Sequence, residues 1–370
     1  MKPAFYRPGG GSFRFYKVSM FKKSIFLLAA ALITGCYSLP MDPRYKGPTP
    51  RPATIDQYYG RNGTYGTFKE ELIRKDSEYT LKKISIDSSA GPITIDYYQR
   101  PEASKNIVLV FPVLGGKPII ENYFAEYIAE HGFDAAIVNR VNDFKNPDNI
   151  DIFETLIKNN VIRDRFAMDF FENEYGKSKF GSFGISRGAI NAAMTAGVDE
   201  RLKHNVLVMG GSDLAKLFDK SNQRRIQKYI NTVTERKNIT RQEFFTAFES
   251  HIKTDPKNFA SYIDARNTLM ILGLFDRTVP IQFGRLLRDQ LGKPKTIFLF
   301  ADHYTGLLFT NMLSAVCGDM CFLPLDYVET EAMNFYRNEM GTKENTLKLI
   351  PYRLLRVPFD LVGRIFEEVF

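Results

Sequence analysis

One serine stands out among the residues of this chain that could do chemistry. Ser186 is the centre of Gly184-Ile185-Ser186-Arg187-Gly188, a G-x-S-x-G sequence, between a predicted strand at 179–183 and a predicted helix that begins at Arg187. In a sharp strand-to-helix turn the glycines relieve crowding, and the serine Oγ is pushed out into a cleft. A serine hydroxyl attacks a carbonyl carbon only when a base takes its proton. The sequence therefore predicts a nucleophile at Ser186, and the alternative is a glycine-rich turn that only packs a helix on a strand.

The base should be a histidine reached from another loop. The chain has four histidines, and they are His131, His204, His251 and His303. His303 directly follows the last predicted strand, at 296–300, so its loop should open at the carboxyl edge of the sheet beside Ser186. We expect His303 to be the general base, the alternative being a structural histidine.

A carboxylate must then hold the imidazole in the correct tautomer. Asp276 follows a predicted strand at 268–274, one strand before His303, and is the acid that we expect. Asp213 also ends a predicted strand, and Asp302 neighbours His303 in sequence but should point to the opposite side. These two aspartates stay open as alternatives.

The elements that position these residues alternate along the chain. Segments 81–87 and 93–99 alternate apolar and polar residues around a Gly-Pro turn, which predicts a β-hairpin. The continuous apolar run 106–113 is typical of a strand buried on both faces of a parallel sheet, and strands and helices alternate after it. The all-helical stretch at about 212–264 interrupts this alternation, and we interpret it as a small helical cap at the edge of the sheet where ligands bind.

Ser186, Asp276 and His303, in that order, resemble the triad of the α/β-hydrolase family, and the stretch Asp276 to Pro280 matches its acid-loop pattern. The resemblance covers residues 80–316. It implies an α/β fold with a mostly parallel central sheet, an antiparallel N-terminal hairpin and helices on both faces. It also implies an oxyanion hole made by the backbone N–H of Arg187 and that of Leu114. The Val113 N–H stays open as an alternative to Leu114, because Pro112-Val113 stands where many members carry His-Gly. No cofactor and no metal ion is expected.

The charge of the chain is concentrated at its N-terminus. The formal net charge is +8, but residues 1–35 hold six Lys and Arg residues and no Asp or Glu. The rest is nearly neutral, so the sequence gives little reason to expect a nucleic-acid partner. The apolar run 25–33 is too short to span a bilayer and has the length of the apolar core of a secretory signal.

Ile33-Thr34-Gly35-Cys36 resembles the lipobox of bacterial lipoproteins. The resemblance implies a signal peptide at 1–35, with Met20 as a second candidate start, and an acylated Cys36 that anchors the protein to a membrane. The expected location is the cell envelope, at the outer membrane or a periplasm-facing membrane in a Gram-negative organism. An ordinary secretory signal is the alternative. Residues 36–65, rich in proline, are then expected to form an extended spacer before a hydrolase domain at 66–330.

Two features near the C-terminus stay open. Cys317 and Cys321 are either bridged or free. The extension at 331–370 contains apolar residues among basic ones, which favours an apolar face docked on the hydrolase core and allows, alternatively, a segment lying on a membrane.

The function that this sequence favours is hydrolysis of a small-molecule or lipid ester by a membrane-anchored carboxylesterase or lipase-like enzyme. A peptidase of the same fold is one alternative, because 255–280 resembles oligopeptidase-like members, although no large gating domain is evident. A non-catalytic envelope lipoprotein that uses the fold for binding is the other. The phenylalanines of the cap suit an apolar acyl pocket or a plain core.

Overall fold

The structure is a computed structural model that describes residues 36–60, 63–114, 118–312, 326–341 and 347–369. The signal peptide expected at 1–35 lies outside these residues, and so do Gly115, Gly116 and the two cysteines Cys317 and Cys321.

A ten-stranded sheet forms the centre of the molecule, in the spatial order β1-β10-β9-β8-β7-β5-β6-β4-β3-β2. Its strands are β1 (Tyr37–Leu39), β2 (Phe68–Lys75), β3 (Thr80–Ile86), β4 (Ile93–Gln99), β5 (Asn106–Phe111), β6 (Asp134–Val138), β7 (Lys179–Ile185), β8 (Leu202–Val208), β9 (Thr268–Gly273) and β10 (Lys295–Leu299). Strands β5 to β10 pair in parallel, whereas β1 to β4 join the sheet antiparallel. The mostly parallel sheet with an antiparallel N-terminal hairpin, β3 and β4, confirms the predicted fold class.

Helices cover both faces of this sheet. They are α1 (Ala53–Tyr58), α2 (Ile119–Glu130), α3 (Phe153–Tyr175), α4 (Arg187–Val198), α5 (Leu214–Lys220), α6 (Arg224–Lys237), α7 (Arg241–His251), α8 (Ile281–Gln290), α9 (Tyr327–Glu339) and α10 (Ile350–Val369). Alternate residues of β5 enter different core layers: Leu109 packs in the layer with α3 and α4, and Val110 packs in the layer with α2 and α9. The two-residue period of a strand thus explains why β5 is apolar throughout.

The segment between β8 and β9 carries α5, α6 and α7, where the sequence predicts an all-helical stretch. These helices share a separate apolar cluster that includes Leu217, Ile230, Phe244 and Phe248. The cluster continues onto α3 and α4 of the body, so these helices pack over the carboxyl edge of the sheet near Ser186.

The proline-rich segment differs from the spacer that we expect from its composition. Strand β1 pairs with β10 at the edge of the sheet, and Leu39 and Tyr59 are buried. The Tyr59 hydroxyl lies 2.7 Å from Thr254 Oγ1. The prolines prevent long helices here, but the large apolar side chains between them gain enough by burial to hold the segment on the domain.

Helix α10 exposes part of its apolar surface. Among its described side chains, Arg356 and Gly363 are buried, whereas Leu354 and Leu361 are exposed. Among the described residues, no helix combines the length and the apolar character needed to cross a bilayer.

Candidate active site

Ser186 lies in a strained turn between β7 and α4. Its φ of 57° and ψ of −122° are unusual for a residue with a side chain. A Cβ at Gly184 would lie 2.3 Å from the carbonyl carbon of Gly188, and a Cβ at Gly188 would lie 2.2 Å from the carbonyl oxygen of Phe111. Both positions therefore admit only glycine, and this tight contact holds the Ser186 Oγ at the carboxyl edge of the sheet.

The structure brings Ser186, His303 and Asp276 together in a hydrogen-bonded chain. The distance from His303 Nε2 to Ser186 Oγ is 2.9 Å, and that from His303 Nδ1 to Asp276 Oδ2 is 2.7 Å. With the proton on Nδ1, His303 donates to Asp276 and accepts from the serine hydroxyl. This is the arrangement in which an imidazole can take the serine proton.

Asp276 is held by its own loop. The Asp276 side chain is 2% exposed, and its Oδ1 accepts hydrogen bonds from the backbone N–H groups of Thr278 at 2.8 Å and Val279 at 2.9 Å. These two amides fix the carboxylate and leave Oδ2 for the histidine. The backbone of Thr278 and Val279 turns back onto the carboxylate, so this part of the loop fixes the orientation of the Asp276 side chain.

The alternative aspartates are engaged elsewhere. Asp213 forms ion pairs with Lys216 at 2.8 Å and Lys257 at 3.1 Å. Burial acts to raise the pKa of Asp213, but hydrogen bonds from these two lysines outweigh it and lower the pKa below its usual value. The Asp302 Oδ1 accepts hydrogen bonds from the backbone N–H groups of Tyr304 and Thr305, both at 2.8 Å.

The other histidines serve local structure. The Nδ1 atoms of His131 and His251 lie 2.7 Å from the carbonyl oxygens of Tyr127 and Ala247. Burial lowers the pKa of His204 to about 4, with smaller contributions from nearby lysines. His204 therefore stays neutral near pH 7.

Two side chains shape the loop after β5: Arg187, and Glu121, whose role was not predicted. The Glu121 Oε1 accepts a hydrogen bond from the Val113 N–H at 2.9 Å, and the Arg187 Nη2 donates to the Val113 carbonyl at 2.9 Å. The Val113 amide is thereby occupied, whereas Leu114 lines the same cavity as Ser186. The Arg187 N–H is at the first turn of α4, where amides have no partner within the helix.

Sequence does carry a signal for Glu121. It occupies the same helical stripe as Phe124, Ala125 and Ile128, the buried face of α2. A lone acid on an apolar stripe needs a buried partner, and burial raises the pKa of Glu121.

A cavity of about 450 Å³ opens beside Ser186. Its walls come from α3, α4 and the helices between β8 and β9, and most of its lining is apolar. Of the cap phenylalanines, Phe218, Phe244 and Phe248 line it, while Phe259 packs against Tyr59 instead. Within the described part of the chain, no cluster of three or more His, Cys, Asp or Glu side chains could hold a metal ion.

Comparison with known proteins identifies the fold. No family model and no curated protein matches this sequence. Acetyl xylan esterase 1 from Thermoanaerobacterium sp. JW/SL YS485 is similar in structure, with a TM-score of 0.52 and 17% sequence identity over 75% of this chain and 99% of that chain. The acetyl xylan esterase from Paenibacillus sp. R4 has a TM-score of 0.53 and 18% identity over 68% of this chain and 87% of that chain. With the sheet order and the position of Ser186 after a central strand, these likenesses define an α/β-hydrolase fold.

Proposed function

We propose that this protein is a serine ester hydrolase. The observation that carries the proposal is the hydrogen-bonded chain from Asp276 through His303 to the Ser186 Oγ, at 2.7 and 2.9 Å, beside an apolar cavity. The two acetyl xylan esterases of similar fold add support for an ester over a peptide bond.

The mechanism follows from these contacts. His303 Nε2 takes the proton of the Ser186 hydroxyl while Oγ attacks the ester carbonyl carbon, and the anionic Asp276 stabilises the imidazolium that forms. The backbone N–H groups of Leu114 and Arg187 donate to the oxyanion. His303 then gives its proton to the leaving alcohol, and an acyl group stays on Ser186.

Water completes the cycle. His303 takes a proton from a water molecule, whose oxygen attacks the acyl carbonyl, and the acid leaves as Ser186 regains its proton. Glu121 and the Arg187 side chain position the loop that carries Leu114, because they bind the N–H and the C=O of Val113, which belong to two successive peptide units.

A fluorophosphonate probe tests this function, with Ser186→Ala as the matched control. We expect the wild type to be labelled and the alanine variant to stay unlabelled. A folded wild-type protein that is not labelled would favour a binding role. A series of nitrophenyl esters compared with short aminoacyl substrates then separates an esterase from a peptidase, since only the preferred class should show rapid turnover.

We further propose that the enzyme is anchored in a bacterial cell envelope through an acylated Cys36. The basic segment, the apolar run and the lipobox-like Ile33-Thr34-Gly35-Cys36 support this. The Cys36 thiol is buried in this structure, and burial raises its pKa to about 11, so a lipidated Cys36 has to leave this position, because a lipid on the sulfur cannot fit there. Mass spectrometry of the mature N-terminus tests the anchor: an unmodified Cys36 or a terminus elsewhere contradicts it.

A further inference from the structure

The charged residues that line the cavity beside Ser186 are mostly of one sign. The cationic ones are Arg140, Lys145, Arg187, Arg225 and Lys228, and the acidic one among the described lining residues is Asp164. The Asp164 Oδ1 lies 2.5 Å from the Arg140 Nη1, so this carboxylate is already paired. The other four cations face the cavity with no lining carboxylate to balance them.

Two of these cations lie deep in the site. The Arg140 side chain is 2% exposed, and its Nε and Nη2 have no hydrogen-bond partner among the described residues. The Arg187 Nε is also buried and unpartnered within this part of the chain. Burial lowers the pKa of Arg187 to about 9, and Arg140 adds to the shift. These two buried arginines add positive charge to the wall behind the exposed cations.

The remaining three cations are exposed and mark the rim. Lys145 follows β6 in a short 3-10 turn, and Arg225 and Lys228 lie on α6. Burial lowers the pKa of Lys145, and repulsion from Arg187 and Arg225 lowers it further, because these two cations lie near it. Such a group of like charges attracts an anion and is weakened by salt.

We propose that the natural substrate is an ester that combines an apolar chain with an anionic group, a carboxylate or a phosphate, held by this cationic rim. The inference rests on the proposed ester hydrolysis and adds its substrate class. The apolar chain occupies the cavity and contacts apolar side chains such as Phe153, Met194 and Phe248. The anionic group pairs with Lys145 and Arg225.

Matched esters test this proposal. 4-Acetoxybenzoate and its methyl ester differ in a carboxylate on the alcohol side of the ester. 4-Nitrophenyl glutarate and 4-nitrophenyl valerate differ in a carboxylate on the acyl side. 4-Acetoxyphenyl phosphate distinguishes phosphate from carboxylate. We expect the anionic member of at least one pair to have a kcat/KM about tenfold higher, and this ratio to fall as salt rises from low to physiological concentration.

Lys145→Ala and Arg225→Ala should each lower that ratio about tenfold through KM. Arg224→Ala is the matched control, because Arg224 is an exposed neighbour of Arg225 on α6 and does not line the cavity, and it should leave the ratio unchanged. Equal turnover of neutral and anionic members in every pair would overturn the proposal. Failure of the proposed hydrolysis itself would look different, since no ester would be cleaved and the fluorophosphonate would not react.

A second, independent observation concerns helix α10, which exposes an apolar stripe. Five apolar residues recur at intervals of three or four along one face: Ile350, Leu354, Val357, Leu361 and Ile365, which are 45%, 66%, 59%, 64% and 56% exposed. Two polar side chains of the helix contact the domain. Arg356 Nη1 lies 3.4 Å from Glu331 Oε1, and the Asp360 carboxylate accepts hydrogen bonds from the backbone N–H and hydroxyl of Ser38. A helix of a soluble domain normally buries its apolar stripe.

The N-terminal segment reaches the domain directly under this helix. Gly363 packs on the Tyr37 ring, since a Cβ there would lie 2.4 Å from Tyr37 Cδ2. Cys36, the proposed lipid attachment site, directly precedes Tyr37 and therefore lies beside α10. Phe300 directly follows β10, the strand that pairs with β1. Phe300 is half exposed, and its ring makes an edge-to-face contact with the half-exposed ring of Phe275.

We infer that the outer face of α10 lies on a phospholipid bilayer. Exposed Arg364 flanks the apolar stripe and can reach anionic headgroups while the stripe enters the interface. A bilayer is the occupant that the placement favours, because β1, which directly follows the proposed lipid attachment site Cys36, packs under the same helix.

The chain has no tryptophan, so one introduced tryptophan reports on this face alone. Val357→Trp in the full chain should shift its emission to the blue, and brominated lipid should quench it, on vesicles of phosphatidylcholine and phosphatidylglycerol at three to one. Leu72→Trp is the control, because Leu72 is 62% exposed on β2 at the opposite edge of the sheet, and its emission should not change.

Three outcomes would overturn the inference. Emission from Val357→Trp that vesicles leave unchanged excludes contact with lipid. Emission that is already blue-shifted without vesicles and independent of protein concentration indicates that residues 1–35 cover the stripe. A blue shift that grows with protein concentration in the absence of lipid indicates a second copy of the chain.

Discussion

Two loops at the same edge of the sheet each present an aspartate, yet they serve different purposes. The loop after β9 carries Asp276 and the loop after β8 carries Asp213, and in sequence both look like the acid of a triad. In the structure, Asp276 has one oxygen bound by backbone amides and the other by His303. Asp213 has both oxygens bound by lysines. The partners of each carboxylate oxygen, and not its place at a strand end, decide which aspartate can orient a histidine.

The backbone of each loop explains this division. Asp276 begins a turn in which the following N–H groups point back at its own carboxylate. Asp213 has a φ of 62°, and its N–H and that of Leu214 donate to the Asp255 carboxylate at 3.1 and 2.6 Å. The loop after β8 is therefore tied to the segment before β9, whereas the Asp276 carboxylate in the loop after β9 keeps one oxygen for His303.

Asp276→Asn should have the largest effect on activity and gives the sharpest test of this contrast. An amide in place of the carboxylate would donate to His303 Nδ1 and favour the wrong tautomer, so kcat should fall by about four orders of magnitude. Nitrophenyl acetate turnover measures this, with circular dichroism as a check of folding. A loss below tenfold would remove Asp276 from the triad and reopen the case for Asp213.

The contrast also shows how far sequence reasoning reaches. Ser186, Asp276 and His303 could be predicted because each follows a recognisable buried strand, and parallel strands bring their carboxyl ends to one edge. Strand β5 was predictable because burial on both faces makes it apolar throughout.

Other elements have no such local signal. All residues of β2 are exposed, and hydrogen bonds to β3 define the strand, not burial. The contacts of Arg356 and Asp360 on α10 could not be predicted, because their partners Glu331 and Ser38 are distant in sequence. The cationic lining of the cavity likewise arises from side chains on several separate elements.

Asp255→Ala, in the segment that holds the loop after β8, should lower stability more than a substitution of Asp213 or Asp302. The Asp255 side chain is fully buried and accepts three backbone N–H groups, those of Asp213, Leu214 and Lys257. Their loss should lower the free energy of unfolding by about 3 kcal/mol, measured by urea denaturation. Asp255→Asn, which keeps one acceptor oxygen, should lose less. A kcat of the folded alanine variant that falls as far as that of Asp276→Asn would contradict a purely structural role.

Asp213→Asn should have a smaller effect, and one that depends on pH. The folded pKa of Asp213 lies below its unfolded value, so its ion pairs stabilise the fold above about pH 4 and lose this effect as pH falls through the folded pKa. Asparagine tolerates a positive φ, so the backbone is preserved. We expect a loss of about 1 kcal/mol at pH 7 that becomes smaller as the pH falls through the folded pKa. A loss that does not change with pH would show that the lysines are not the cause.

Asp302→Asn should have the smallest effect. Asp302 lies next to His303, but its Oδ1 only accepts the N–H groups of Tyr304 and Thr305, and these hydrogen bonds lower its pKa. Asparagine keeps this acceptor oxygen, so kcat should stay within about twofold, whereas Asp302→Ala loses both hydrogen bonds and should cost about fivefold because the His303 loop loosens. Steady-state turnover of nitrophenyl acetate separates the two. A hundredfold loss in the asparagine variant would mean that Asp302 orients the base, because only the loss of its charge distinguishes that variant from the wild type.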